Sequence, residues 1–205
     1  MSSASDVIAV TITADTLAAD DNGISADAAV GNNAALTIGG ALADGGSVTL
    51  SNARKVTITS ADDDSGISFT IVGTDINGTA QTESLTGADT GVATSSKFFL
   101  TIASITAVGD PAGNVKAGIS ADSSSIVYSG RARLKGSFLT STATAGTIDF
   151  LNASTAGTSL MKISSVASAT ATRDVVIPEN GVLFTDGIYL QYTVSTFLTM
   201  TVFHA

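Results

Sequence analysis

The sequence predicts an all-β protein built from more than one β module, and three observations carry that prediction. Apolar and polar residues alternate with period two over short runs. Turn residues punctuate those runs roughly every ten positions. The apolar mass is mostly Ala, Val, Ile and Leu, diluted by Thr, Ser and Gly, with aromatic residues at only 5 % of 205. That mixture suits strands and tight turns better than helices.

Residues 1–46 read as an irregular N-terminal arm with short strands. "DVIAVTIT" (6–13) is β-prone. The Ala-rich stretch 14–43 has room for a helical turn around Leu17–Asp21 and a short strand at Ala34–Ile38, and Gly and Asn residues at 22–23, 31–33 and 39–40 break anything longer.

Residues 47–125 read as an immunoglobulin-like β-sandwich. "SVTL" and "RKVTITS" open it, with Val56 and Ile58 alternating with Thr57 and Thr59. "GISFTIVGTD" and "GTAQTESLTG" flank "DING" (75–78), whose Asn77-Gly78 pair marks a hairpin because both residues accept positive φ. "SKFFLTIASITAVG" and "GNVKAGIS" complete the module.

After a Ser-rich stretch at 120–125 the pattern restarts, and residues 126–205 read as a second small antiparallel β-sandwich or jelly-roll-like domain. Its strands are expected in "IVYSGRARLKGSFLT", "GTIDFLN", "SLMKISS", "RDVVIPEN", "GVLFTDG", "IYLQYTVS" and "LTMTVFHA". The final run lies inside a strand.

Composition narrows the function classes. With no cysteine, disulfide, thiol and Cys-based metal chemistry are excluded. The N-terminus lacks the basic residue and apolar core of a secretory signal, and no run approaches the ~18 apolar residues of a membrane helix. No membrane partner is expected. The net charge of −9 is lopsided: up to residue 125 there are 14 acidic and 4 basic residues, and beyond it 4 and 5. No basic footprint for nucleic acid is present.

Candidate sites follow. Asp62, Asp63 and Asp64 read as a solvated turn or as weak calcium ligands, because adjacent side chains diverge and no distant Glu completes the set. The single histidine, His204, reads as an edge or interface residue rather than a catalytic base. The only glutamates, Glu83 and Glu179, fall on a strand and a turn and read as surface residues. Arg131, Arg133 and Lys135 share one strand face. They serve either as charge protecting an exposed edge or as an interface with an acidic surface. Phe98 and Phe99 point to opposite sides of their strand, one into the core and the other into a second buried face or against a partner. No catalytic residues and no cofactor are expected.

Over residues 53–115 the chain resembles virion structural proteins of tailed bacteriophages, especially marine ones, through "VTITSADDDSG", "FTIVGTD", the paired "TES-LTGA" and "SITAVGDPAGNV". "STATAGTIDFLNASTAGTSLMKI" leading to "DVVIPENGVLFTDGIYL" resembles a small phage β module. The resemblance implies an all-β fold, a virion location after synthesis in the host cytoplasm, and no catalytic residues to carry over. It includes head decoration proteins and head or tail fibres. The resulting expectation is a decoration or cement protein on the capsid surface, bound to the major capsid protein or to other virion proteins. Analogy with phage accessory proteins suggests a homotrimer, and the N-terminal arm would clamp the shell. The alternatives are a fibre or receptor-binding protein contacting host glycans and, third, an envelope-degrading hydrolase.

Overall fold

A computed structural model describes residues 6–13, 18–121, 124–165, 170–192 and 197–205. The described residues form strands, bridges and turns, with no helix. The chain divides into two compact units, one of residues 18–122 and the other of residues 1–17 together with 123–205. The first unit is therefore inserted in sequence into the second.

β1 (Ile8–Thr13) belongs to the discontinuous unit. The inserted unit follows, with β2 (Asp20–Ala29), β3 (Ala43–Asp44), β4 (Ser47–Arg54), β5 (Val56–Asp63), β6 (Ser68–Thr74), β7 (Ala80–Thr86), β8 (Asp89–Thr94), β9 (Phe99–Val108) and β10 (Asn114–Ile119). They make two antiparallel sheets, ordered β2-β10-β5-β8 and β3-β4-β9-β6-β7. Both feed one core: Ile24, Val56, Ile58 and Val115 from the first sheet, Val48, Phe69, Ile71, Phe99 and Ile102 from the second. The unit is a β-sandwich.

Its outer strands depart from the immunoglobulin pattern. Counting from β4 to β10 as strands A to G, the B–E and C–F pairs of that fold are kept in β5–β8 and β6–β9. Strand A (β4) pairs with F, and strand G (β10) pairs with B. The exchange leaves β10 free to take β2 on its other side.

The Asn-Gly hairpin forms as its sequence requires. The Asp75 carboxylate accepts the N–H groups of Asn77 and Thr79, both at 2.9 Å, and Gly78 takes φ +78°. β6 and β7 then pair without a shift from Thr74–Ala80 to Ser68–Thr86.

The second unit continues with β11 (Ser124–Tyr128), β12 (Ala132–Ser141), β13 (Gly146–Asn152), β14 (Thr158–Ser165), β15 (Ala171–Val176), β16 (Val182–Phe184), β17 (Ile188–Tyr192) and β18 (Phe197–His204). Its sheets run β1-β18-β12-β15, with β16 also on β12, and β11-β17-β13-β14. Setting β16 aside and counting this unit's strands in chain order, the first sheet reads first, eighth, third, sixth. The second reads second, seventh, fourth, fifth. This is jelly-roll winding over two four-stranded sheets, the chain crossing between them at each step except the β13–β14 hairpin. Ile12, Leu134, Leu139, Phe150, Phe184, Phe197, Met200 and Val202 fill the core between them. Each buried Phe contributes about 1.5–3 kcal/mol of transfer free energy.

The expected N-terminal arm is not a separate element. β1 pairs along its full length with β18, from Ile8–His204 to Thr13–Thr199, and buries Ile12. β2 pairs with β10, and Leu36 enters the core of the inserted unit. Asp20 and Asp21 lie in β2 rather than in a helical turn; Leu17 is outside the described residues. The strand expected at Ala34–Ile38 is a single bridge, Ala35 to Thr106. β8 was not expected. Within the Ser-rich stretch, Ser124 and Ser125 are buried in β11, so the second set of strands starts before residue 126.

Candidate interaction surfaces

The aspartate run is a structural corner. Asp62 and Asp63 end β5, and Asp63 Oδ1 accepts both the backbone N–H (3.0 Å) and the hydroxyl (2.6 Å) of Ser65. Those bonds hold the Asp63 carboxyl below its ordinary value. Asp64 is fully buried, against the expectation of a solvated turn. Its Oδ1 accepts the Ala112 N–H at 2.8 Å, and its backbone N–H and C=O bond to Ala88 and Ile67. The Asp62 carboxylate lies against Gly113, in the space a Cβ there would take. The three carboxylates thus turn to three different neighbours. Among the described residues no three His, Cys, Asp or Glu side chains come together as a metal site, so the calcium reading finds no ligand set there.

Phe98 and Phe99 are both buried, so neither is offered to a partner. Phe99 joins the core of the inserted unit, and Phe98 lies under the Lys55 ammonium, 5.4 Å from the ring centroid. The turn before them is pinned by Glu83. Its carboxylate accepts from Ser96 N (2.7 Å), Ser96 Oγ (2.9 Å) and Lys97 N (3.0 Å). Glu83 is therefore a cap on this turn rather than a free surface charge. Gln81 Nε2 donates to the Phe98 carbonyl at 2.6 Å. Nearby Arg54 is buried and donates to the Ser120 carbonyl.

Arg133 and Lys135 alternate with buried Ala132 and Leu134, as the sequence predicts, while Arg131 is exposed just before β12. The edge-protection reading fails, because β12 is an interior strand with β18 on one side and β15 and β16 on the other. Arg133 Nη1 donates to the Asn180 carbonyl (3.3 Å) and Lys135 Nζ to that of Glu179 (3.4 Å), so both heads lie over the 178–181 turn. Glu179 takes φ +53° in that turn.

His204 is not at an edge either. It is buried in β18, with its ring centroid 5.0 Å from that of Tyr128. Burial pushes its pKa down.

Two outward sheet faces remain. In the inserted unit, the face of β9, β6 and β7 turned from the core carries a registered row of hydroxyls, Thr106, Thr70 and Ser84, and beside it Ser104 and Thr82 flanking the exposed Val72. No charged residue lies on the outward positions of these three strands, although the inserted unit holds twelve acidic and four basic residues. Thr74 and Thr101 close the pattern with a 2.8 Å hydroxyl contact.

In the jelly roll, Ile12, Met200 and Leu139 point into the core, so their neighbours along β1, β18 and β12 point out. One outward row is Ala9, Phe203, Gly136 and Val176. The next is Thr11, Thr201, Phe138 and Asp174, and the third is Thr13, Thr199, Thr140 and Thr172. Thr11 and Thr201 touch through their hydroxyls at 3.0 Å. Sequence reasoning missed this face. Its signals are the T-x-T runs at 11–13 and 199–201, which become meaningful only once β1 is known to pair with β18.

No protein-family model matches the chain, and no curated protein or solved structure matches it significantly.

Proposed function

We propose that this chain is a non-enzymatic structural protein of a phage virion, a decoration or cement protein on the capsid surface whose partner is the major capsid protein. The phage resemblance of residues 53–115 and 141–190 supplies the virion. The observation that carries the decorating role is the division of charge over the fold. The jelly roll holds six acidic and five basic residues, whereas the sandwich inserted between its first two strands is net −8. A near-neutral unit suits docking and an acidic one suits display to solvent. Jelly rolls recur in viral capsids and in lectins, which is support by analogy of fold. Binding only the assembled shell stabilises that shell by mass action. Within residues 1–46, β1 and β2 are strands of the two units rather than a free arm.

The test is a count of copies per purified virion by quantitative mass spectrometry. A count on the scale of the shell subunits supports decoration. A handful of copies moves the protein to a vertex or fibre, and absence from the particle overturns the virion reading.

The hydroxyl-rich face of β9, β6 and β7 favours a second reading, a fibre or receptor-binding protein on host glycans. Saturable binding of the purified chain to a glycan array, lost on Thr70→Lys, would decide for it.

A further inference from the structure

We infer that the outward face of the β1-β18-β12-β15 sheet is where a second copy of this chain docks. The inference does not depend on where the protein works.

The face exposes large apolar side chains that the other described residues of its unit leave uncovered. Phe138 is 42 % exposed and Val176 76 %, and Phe203 lies beside Gly136 between them. With strands about 4.8 Å apart and same-face residues about 7 Å apart, four strands and three rows span roughly 400 Å². Its apolar part is the cluster of Ala9, Phe203, Val176 and Phe138, and hydroxyl rows flank it. It is a small contact by the standards of stable interfaces, so association should depend on concentration.

Charge selects a second copy as the occupant. The three rows hold a single charged residue, Asp174, while Arg133 and Lys135 sit beyond their Gly136 end. Two faces meeting head to tail set the acid of one copy toward the bases of the other. Threonine hydroxyls both donate and accept, so the row of Thr13, Thr199, Thr140 and Thr172 is complementary to itself. The unit that carries this sheet holds six acidic and five basic residues, so its own charge does not oppose self-association.

The experiment is sedimentation velocity on the full chain over a range of micromolar concentrations, with Phe138→Glu, Thr172→Lys and a control, Val92→Glu, whose wild-type side chain is 58 % exposed on the inserted unit. The expected result is a concentration-dependent oligomer that both face variants reduce to monomer while the control does not. Far-UV circular dichroism checks that each variant is folded, and Thr172→Lys decides if Phe138→Glu is not. A monomeric wild type overturns the inference, as does an oligomer that survives the face substitutions or is lost equally in the control. A monomer that binds isolated phage shells through the same residues would assign the face to the capsid protein and overturn the second-copy assignment.

Discussion

Asp20 and Ile119, near the two ends of the inserted sandwich, are antiparallel partners across β2 and β10. The chain therefore leaves the sandwich beside the place where it enters. An insert with adjacent ends can be accommodated between β1 and β11 without separating the strands of the host unit. This pairing explains how a jelly roll can have its first two strands interrupted by a whole module.

Each unit has its own core, so each should fold without the other. Residues 18–122 alone, and a chain with 18–122 replaced by a short Gly-Ser linker, should both show cooperative thermal melts by circular dichroism. Deleting residues 1–45 should instead damage both units, because it removes β1 and β2. Within the jelly roll, Ile12→Ala should cost about 2–5 kcal/mol in denaturant unfolding. A truncation at residue 45 that melts like the full chain would refute the assignment of β1 and β2.

Gly118 lies in β10 at a register shift against β2. A Cβ there would run into the Asp20 carbonyl oxygen. Gly118→Ala should push β2 away and cost about 1–3 kcal/mol, as overpacking does. Hydrogen exchange should rise first in β2. Unchanged protection of its amides would show that the strand yields at no cost.

Glu83 joins β7 to the turn ahead of Phe98 by three hydrogen bonds to one carboxylate. Glu83→Ala should destabilise the inserted unit by about 1.5 kcal/mol or more, the scale of bonds to a charged acceptor. Urea unfolding of residues 18–122 reads this directly. Glu83→Gln, which keeps an acceptor, should recover part of the loss.

His204 gives the jelly roll a pH dependence. Burial lowers its folded pKa below the ordinary 6.5. Protonation then favours the unfolded chain, whose imidazole binds the proton more readily. The stability this residue preserves is complete above the unfolded value. It falls as pH drops through that value and levels off below the folded pKa. Urea midpoints of wild type and His204→Phe, compared from pH 8 to pH 5, should diverge on the acid side. Parallel curves would mean that the imidazole titrates alike in both states.

Much of the fold is legible in the residues because strand alternation and turn chemistry are local. "GTIDFLN" is β13 residue for residue, and "DING" makes its hairpin through Asp75 and Gly78. β2 was unreadable for the same reason. Its "DDNGISADAA" lacks alternation, and it is a strand because β10 offers an edge, which is a tertiary cause. Arg133 and Lys135 were placed on the right face by period two, but whether β12 is an edge depends on β15 and β18, which lie tens of residues away. Asp64 looked like a turn residue because its neighbours are. Its burial comes from Ala112, on a loop that no local pattern connects to it. The outward threonine row is the extreme case, since its members come from four strands.

The pairing of Ile8 with His204 has a consequence for biogenesis. During ribosomal synthesis β1 emerges before the other described strands and β18 after them. The inserted module is continuous and can close as soon as β10 has left the exit tunnel, in line with vectorial folding of domains as units. The jelly roll has to wait for its last strand, and meanwhile β1 is an unpaired apolar segment tethered to an already folded neighbour. The completed insert brings the segments before Asp20 and after Ile119 together, shortening the effective loop that β1 and β18 must close. By this reasoning a module that looks like an interruption would draw distant parts of the nascent chain into reach.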